Sequence, residues 1–176
     1  MICTFFCAER KMTRLRGFEI VTKYKEADLV LPKRATKGSA GYDLTAAVDV
    51  VVPSAFKESK ETDKSGENPM RSTLIPTGVK AYMPENEYLL LANRSSNPMK
   101  RQLAVPNGIG VIDSDYYGNA GNEGEIFVQV INYGLEDVTI AKGERIAQGI
   151  FSRYEVVDEE DHAFDKRIGG FGSSGR

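Results

Sequence analysis

Turn-forming residues interrupt this sequence at short intervals, and that spacing restricts the fold more than any other feature. Pro, Gly and Asn recur about every 8–15 residues between short runs rich in Val, Ile, Leu and Tyr. Only residues 96–103 have a helical pattern, and it is short. The runs typical of β-strands are 18–23, 43–52, 73–83, 88–93, 108–112, 126–132, 138–141 and 146–154. The sequence therefore predicts an all-β fold of the sandwich, barrel or jelly-roll type.

The composition limits the chemistry that such a fold can carry. The 176 residues are enough for one domain, and 23 Lys and Arg against 25 Asp and Glu give a net charge of −2, which disfavours a nucleic-acid-binding surface. No apolar run approaches the roughly 20 residues of a membrane span. Two Cys and one His argue against a disulfide framework, a zinc site and His-dependent catalysis. We expect a cytoplasmic protein that binds neither nucleic acid nor membrane.

Three segments fall outside the strand pattern. Residues 1–11 resemble an N-terminal extension, expected to be poorly ordered, ahead of a β-barrel domain at 12–165. Residues 54–71 are rich in Lys, Glu, Ser and Asp without apolar periodicity, which predicts a surface insertion. The Gly- and Ser-rich end, 166–176, predicts a mobile C-terminal arm, although Phe171 is unusual in a plain linker.

One polar motif follows a predicted strand and combines two carboxylates with an aromatic residue. Asp113 and Asp115 come at the end of the run, and Tyr116 follows them. Carboxylates in a cleft can activate water, and a tyrosine ring offers a flat face to a sugar or a base. The same residues would also suit a turn in which Asp caps backbone amides.

A second motif, Arg94-Ser95-Ser96, combines a cation with hydroxyl groups at the start of the predicted helix. This combination suits phosphate oxygens, although Ser at a helix N-cap explains it equally well. Asp43 follows a Gly-rich turn, and Gln148 lies on a strand entered through a Lys-Gly turn. Taken alone, Asp43 and Gln148 are each explained equally well by a purely structural role.

Taken in order, the motifs resemble those of one enzyme family. The trimeric dUTPase (deoxyuridine 5′-triphosphate nucleotidohydrolase) family has five ordered motifs, and the resemblance covers roughly residues 18–175. The matching segments are AGYDL at 40–44, RSS at 94–96, NGIGVIDSDYYG at 107–118, RIAQ at 145–148 and GGFGSSG at 169–175. The resemblance implies a distorted jelly-roll (β-clip) subunit, a homotrimer with shared active sites, and Mg²⁺-assisted hydrolysis of dUTP to dUMP and pyrophosphate.

The resemblance also implies roles for residues around the nucleoside. Asp113 matches the general base that activates the attacking water. Tyr116 matches the residue that packs against deoxyribose and excludes a 2′-hydroxyl, and therefore UTP. Asn107 and the turn at Gly110 match the groups that read the uracil edge.

At the phosphates, the resemblance implies three further roles. Arg94, Ser95 and Ser96 match the motif that holds the phosphate groups. Gln148 matches a residue near the phosphates and the metal-bound water. Asp43 matches a residue linked to Mg²⁺ indirectly, through water.

In the arm, Phe171 matches the aromatic residue that stacks on uracil, and Gly172 and Ser173 match arm positions at the nucleotide. The family's arm commonly has Arg five residues before this Phe, where this chain has Lys166. We expect Arg167 to contact the γ-phosphate instead, because its planar fork binds phosphate through two hydrogen bonds.

The sequence departs from the family pattern at two further places. Asn93 stands where Pro usually precedes the Arg-Ser pair, and residues 119–124 lengthen the connection after the third motif. Like 54–71, the segment 119–124 is predicted to be a surface insertion that could bind a protein partner.

Other functions remain open for a chain with these motifs. A dCTP deaminase shares the fold but uses a Glu that has no convincing equivalent here, and a bifunctional deaminase–nucleotidohydrolase has the same difficulty. A regulatory protein on this fold would bind a partner through the insertions. A structural jelly roll would leave five ordered polar motifs unexplained.

Overall fold

Antiparallel strands form nearly all the regular structure of the computed structural model, which describes residues 14–57 and 71–159. The helices among these residues are too short and too polar to cross a lipid bilayer. In chain order the elements are β1 (Gly17–Ile20), β2 (Lys33–Arg34), β3 (Tyr42–Thr45), β4 (Val50–Val52), β5 (Thr73–Pro76), β6 (Val79–Tyr82), β7 (Glu87–Asn93), α1 (Ser96–Arg101), β8 (Leu103–Ala104), β9 (Ile109–Asp113), β10 (Phe127–Asn132), β11 (Val138–Ile140) and β12 (Arg145–Arg153). The predicted all-β fold is confirmed.

Two of the predicted strands are each divided into two by a turn. The run 43–52 contains β3 and β4, and the run 73–83 contains β5 and β6. Between β5 and β6, Gly78 has φ +66°, a left-handed conformation that disfavours other residues. The predicted helix ends early for a related reason, because Gln102 adopts φ 56° and stops it at Arg101.

The largest sheet has five strands in the order β2-β3-β12-β7-β9, all antiparallel to their neighbours. Smaller sheets pair β5-β10-β8, β1-β6 and β4-β11 around the same core. In β7, buried and less buried side chains alternate, as the two-residue period of a strand requires. The central β12 carries the fourth motif of the sequence, while its neighbour β3 carries most of the first motif and its neighbour β7 leads directly into the second.

Residues 1–13, 58–70 and 160–176 lie outside the described residues. They include the predicted extension 1–11, most of the insertion 54–71, both ends of the predicted domain 12–165 and the whole arm 166–176. Ser54, where the insertion was predicted to begin, is fully buried, and its hydroxyl donates to the carbonyl of Gly134 at 2.6 Å. Ser54 therefore belongs to the folded domain.

An ion pair between the exposed Arg16 and the buried Glu87 attaches the N-terminal segment to the start of β7. Glu87 is only 4% exposed, and carboxylates are rarely buried without a partner. The Arg16 guanidinium donates two hydrogen bonds to it, from Nε to Oε2 at 2.8 Å and from Nη2 to Oε1 at 2.6 Å. These bonds lower the pKa of Glu87, against the effect of burial, which raises it.

Replacing Glu87 by Gln is expected to lower the thermal unfolding midpoint by roughly 3–6 °C near neutral pH. Because the folded pKa lies below the ordinary value of 4.5, the carboxylate stabilises the fold above that pH. This contribution is lost as the pH falls through the lowered pKa. Circular dichroism melts near pH 7 and pH 3 test this, since the difference from wild type should shrink in acid. The exposed Glu85→Gln is the control, and an unchanged difference would contradict the ion-pair explanation.

Candidate active site

The sheet brings Asp43 into contact with two arginines from separate motifs. Asp43 Oδ1 lies 3.2 Å from Arg94 Nε, and its Oδ2 lies 3.2 Å from Arg145 Nη1. Asp43 is on β3, Arg145 begins β12, and Arg94 directly follows β7. We call Asp43, Arg94, Arg145 and Gln148 the Asp43 cluster. With two cations and one anion, it carries a net positive charge that suits polyphosphate oxygens.

Gln148 lies beside this ion pair because β12 pairs with β3 on one side and β7 on the other. Its register partners are Asp43 and Ala92. The side-chain amide donates to the Asn93 carbonyl at 3.2 Å. A Cβ at Gly41 would collide with the Gln148 amide oxygen, so the glycine of the first motif leaves the space that this side chain occupies.

The second motif is held in place by asparagines that the sequence analysis did not select. Ser95 precedes α1, but its side chain makes no capping hydrogen bond in the described structure, so the N-cap explanation for this serine is not supported. Asn97 is 4% exposed and donates to the Ile146 carbonyl at 2.8 Å and to Asn93 Oδ1 at 3.3 Å. Asn93, the departure from the family's Pro, thus helps to connect α1 to β7 and β12.

The third motif forms a tight turn followed by β9. The amide of Gly108 donates to the Val105 carbonyl at 3.1 Å, and Gly108 has φ +75°. Asn107 lies within this turn. A Cβ at Gly110 would lie 3.2 Å from the Leu91 side chain, so β9 packs closely on β7 there. Asp113 ends β9, opposite Tyr88 of β7.

Tyr116 ends a 3₁₀ turn at Ser114–Tyr116 and is 6% exposed. Its hydroxyl donates to the Glu125 carbonyl at 3.2 Å and accepts a hydrogen bond from Asn122 Nδ2 at 2.8 Å. Because the hydroxyl makes both hydrogen bonds, the ring is fixed at its hydroxyl end. The family resemblance implies that this ring faces deoxyribose. Burial raises the pKa of the neighbouring Glu125 carboxyl.

One chain does not bring all the predicted residues together. Asp113 lies opposite Tyr88, whereas Arg94 follows the far end of the same strand, six residues later. At about 3.3 Å per strand residue, this separates Asp113 from Arg94 by about 20 Å along β7. Gln148, in register with Ala92, is separated from Asp113 by four strand residues, or about 13 Å. The predicted base and the predicted phosphate-binding residues are thus at opposite ends of β7.

The predicted arm residues Arg167, Phe171, Gly172 and Ser173 lie outside the described residues. Among the residues that the structure does describe, sequence reasoning missed three: Arg145, Asn97 and Asn122. Arg145 was visible as the first letter of RIAQ, and its spacing to Gln148 was the available signal. The two asparagines act through contacts distant in sequence, which no local pattern indicates.

The described residues contain no group of three or more His, Cys, Asp or Glu side chains that could hold a metal ion. Both carboxylate oxygens of Asp43 are engaged by arginines. The cluster therefore fits a metal that takes most of its ligands from substrate and water, as Mg²⁺ does with phosphates.

Comparison with known proteins identifies the family. The family description "dUTPase" matches residues 27–175. The deoxyuridine 5′-triphosphate nucleotidohydrolase of Lactococcus lactis subsp. lactis (strain IL1403) is 47% identical over 92% of this chain and 99% of its own length. The crystal structure of dUTPase from Streptococcus mutans matches with TM-score 0.70 and 42% identity, covering 81% of this chain and 99% of that one. A mutant dUTPase from phage phi11 of S. aureus, which coordinates a structural Mg(II) ion, shares the fold with TM-score 0.60 and 18% identity, over 84% and 95% of the two chains. This chain belongs to the dUTPase family.

Proposed function

We propose that the chain hydrolyses dUTP to dUMP and pyrophosphate in the cytoplasm, which keeps uracil out of DNA and supplies dUMP for thymidylate synthesis. The observation that carries this proposal is the Asp43 cluster. Three motifs that are far apart in sequence meet there with a net positive charge. Such a surface suits the triphosphate of a nucleotide.

At the phosphates, Arg94 and Arg145 would donate hydrogen bonds to oxygens on which charge accumulates as pyrophosphate leaves. Asp43 holds both guanidinium groups in one orientation, which reduces the entropy lost when phosphate binds. The hydroxyls of Ser95 and Ser96 would add further donors. Gln148 would contact the same phosphates from β12.

Mg²⁺ fits this arrangement as an ion bound to the triphosphate and reached from the protein through water by Asp43 and Gln148. When bound, it would neutralise charge on the phosphate oxygens. The described carboxylates offer no direct cage of their own.

At the nucleoside, Asp113 would accept a proton from the water that attacks the α-phosphorus. The ring of Tyr116 would pack against deoxyribose and leave no space for a 2′-hydroxyl. Asn107 and the backbone at Gly110 would present hydrogen-bonding groups to uracil. No side chain here needs to form a covalent intermediate.

The separation of Asp113 from the Asp43 cluster supports a homotrimer with shared sites. A site that needs both Asp113 and Arg94 would combine different chains, because about 20 Å lies between these two residues along β7 in one subunit. The arm, with Arg167, Phe171, Gly172 and Ser173, would close over the nucleotide and exclude water. The insertion 54–71, apart from the buried Ser54, stays a predicted surface for a protein partner.

Pyrophosphate release from dUTP, UTP, dTTP and dCTP with Mg²⁺ tests the proposal directly. Fast release from dUTP alone is the expected result, because the sugar and base contacts reject the other three. Absence of release from dUTP would overturn it and favour a regulatory protein on the same fold. Ammonia release from dCTP would indicate a deaminase instead.

A further inference from the structure

The segment 119–124, predicted as a surface insertion, folds back onto Tyr116. Asn119 Nδ2 donates to the Tyr116 carbonyl at 3.1 Å and to Asn122 Oδ1 at 2.8 Å. The amide of Gly118 donates to the Glu123 carbonyl at 2.9 Å, and the amide of Glu123 donates to the Asn119 carbonyl at 3.0 Å. The segment is therefore a closed, hydrogen-bonded turn.

Asn122 joins this turn to the Tyr116 side chain. Its Nδ2 donates to the Tyr116 hydroxyl at 2.8 Å, while its Oδ1 accepts from the amide of Gly124 at 3.0 Å. The same hydroxyl donates to the Glu125 carbonyl at 3.2 Å. Because the hydroxyl donates one hydrogen bond and accepts another, it has a defined position, and the ring cannot slide along its axis without breaking a bond.

The turn is itself anchored to the N-terminal part of the domain. Glu123 accepts hydrogen bonds from the amide of Thr22 at 2.6 Å and from its hydroxyl at 2.7 Å. At Gly124, which has φ +85°, a Cβ would come within 2.5 Å of the Tyr116 carbonyl oxygen. The turn can approach Tyr116 this closely only because residue 124 is a glycine.

We propose that Asn122 is a positioning residue for Tyr116 and thereby sets the discrimination between deoxyribonucleotides and ribonucleotides. The inference rests on the proposed role of Tyr116 as the residue that excludes the 2′-hydroxyl. Steric exclusion depends on a ring that does not retreat, and hydrogen bonds from supporting residues provide that rigidity. The insertion after the third motif thus serves the specificity of the site.

The decisive variant is Asn122→Ser. Its side chain is too short to reach the Tyr116 hydroxyl, so the hydrogen bond to that hydroxyl is lost, together with the longer bond from Nδ2 to the Glu125 carbonyl at 3.4 Å. The ratio of kcat/KM for dUTP to that for UTP is expected to fall about three- to tenfold, the value of one neutral hydrogen bond. The ratio cancels any general effect of the substitution on triphosphate binding, because both substrates carry the same phosphates.

Glu123→Ala is the matched control, since it removes the anchor to Thr22 without touching the Tyr116 side chain. It should lower the unfolding midpoint and leave the substrate ratio unchanged. Asn122→Ala, which removes the same donor, replaces Asn122→Ser if that protein does not fold. A ratio equal to wild type in a folded Asn122 variant would overturn the proposal.

The double variant Tyr116→Phe with Asn122→Ser separates this mechanism from a general structural role. Without the hydroxyl, the Asn122 substitution should cause no further fall in the ratio. An equal fall in both backgrounds would show that Asn122 acts by another route and would also overturn the proposal.

A ¹⁹F NMR measurement without substrate tests the position of Tyr116 independently of whether the protein hydrolyses dUTP. In protein labelled with fluorotyrosine, the ¹⁹F resonance that disappears in Tyr116→Phe belongs to Tyr116. It should shift or broaden in Asn122→Ser and stay unchanged in Glu123→Ala. Loss of the proposed function would appear as wild-type protein that releases no pyrophosphate from dUTP, whereas an unshifted resonance would count against Asn122 alone.

Discussion

Asp113→Asn is expected to lower kcat for dUTP by about a thousandfold or more while nucleotide binding is retained. Asp113 ends β9, and a carboxylate there can accept the proton of the attacking water. An asparagine has nearly the same shape but cannot take up a proton at neutral pH. The change therefore removes the base without removing contacts to the nucleotide.

Pyrophosphate release measures the loss of turnover, and calorimetric titration with a non-hydrolysable dUTP analogue measures binding. Asp115→Asn is the matched control, because this second carboxylate lies two residues later, in the 3₁₀ turn that follows the strand. It should retain most of the activity. Near-normal turnover in Asp113→Asn, or an equal loss in Asp115→Asn, would remove Asp113 as the base.

The strands and motifs were predictable from sequence because both are recognised from the types and spacing of residues that are close together in the chain. The alternation in β7 leaves a two-residue period that can be read directly from the sequence. The break within 43–52 was missed because the apolar residues Ala46, Ala47 and Val48 continue through the turn. Within 73–83, Pro76, Thr77 and Gly78 are turn-forming residues, but the run was still predicted as one strand. The two-residue strands β2 and β8 are too short to leave any period.

The contacts that organise the site were harder to predict from sequence, because they join residues that are far apart in the chain. Asp43 and Arg145 are brought together by the pairing of β3 with β12, which a motif search does not provide. Asn93 departs from the family pattern, yet it accepts a hydrogen bond from Asn97. The segment 119–124 was predicted from sequence as an added loop, and its contact with Tyr116 became visible only in three dimensions.

The arrangement of β7 leads to a second large effect, in mixtures of two inactive proteins. Asp113→Asn lacks the base, and Arg94→Ala lacks a phosphate donor of the Asp43 cluster, so each alone should lose most activity. The two positions lie at opposite ends of β7 in one chain. If each site takes Asp113 from one subunit and Arg94 from another, a mixed trimer contains sites in which both residues are intact.

Co-expression of the two variants, with different affinity tags to purify the mixed assemblies, should therefore restore activity. In a cyclic trimer that contains both variants, about one site in three has the intact combination, because only one of the three neighbouring pairs has both subunits of the right type. Co-expression of Asp113→Asn with Asp113→Asn carrying the second tag is the control and should stay inactive. If activity is not restored in mixed trimers, both residues act within one chain, and their separation along β7 would require a site different from the one proposed.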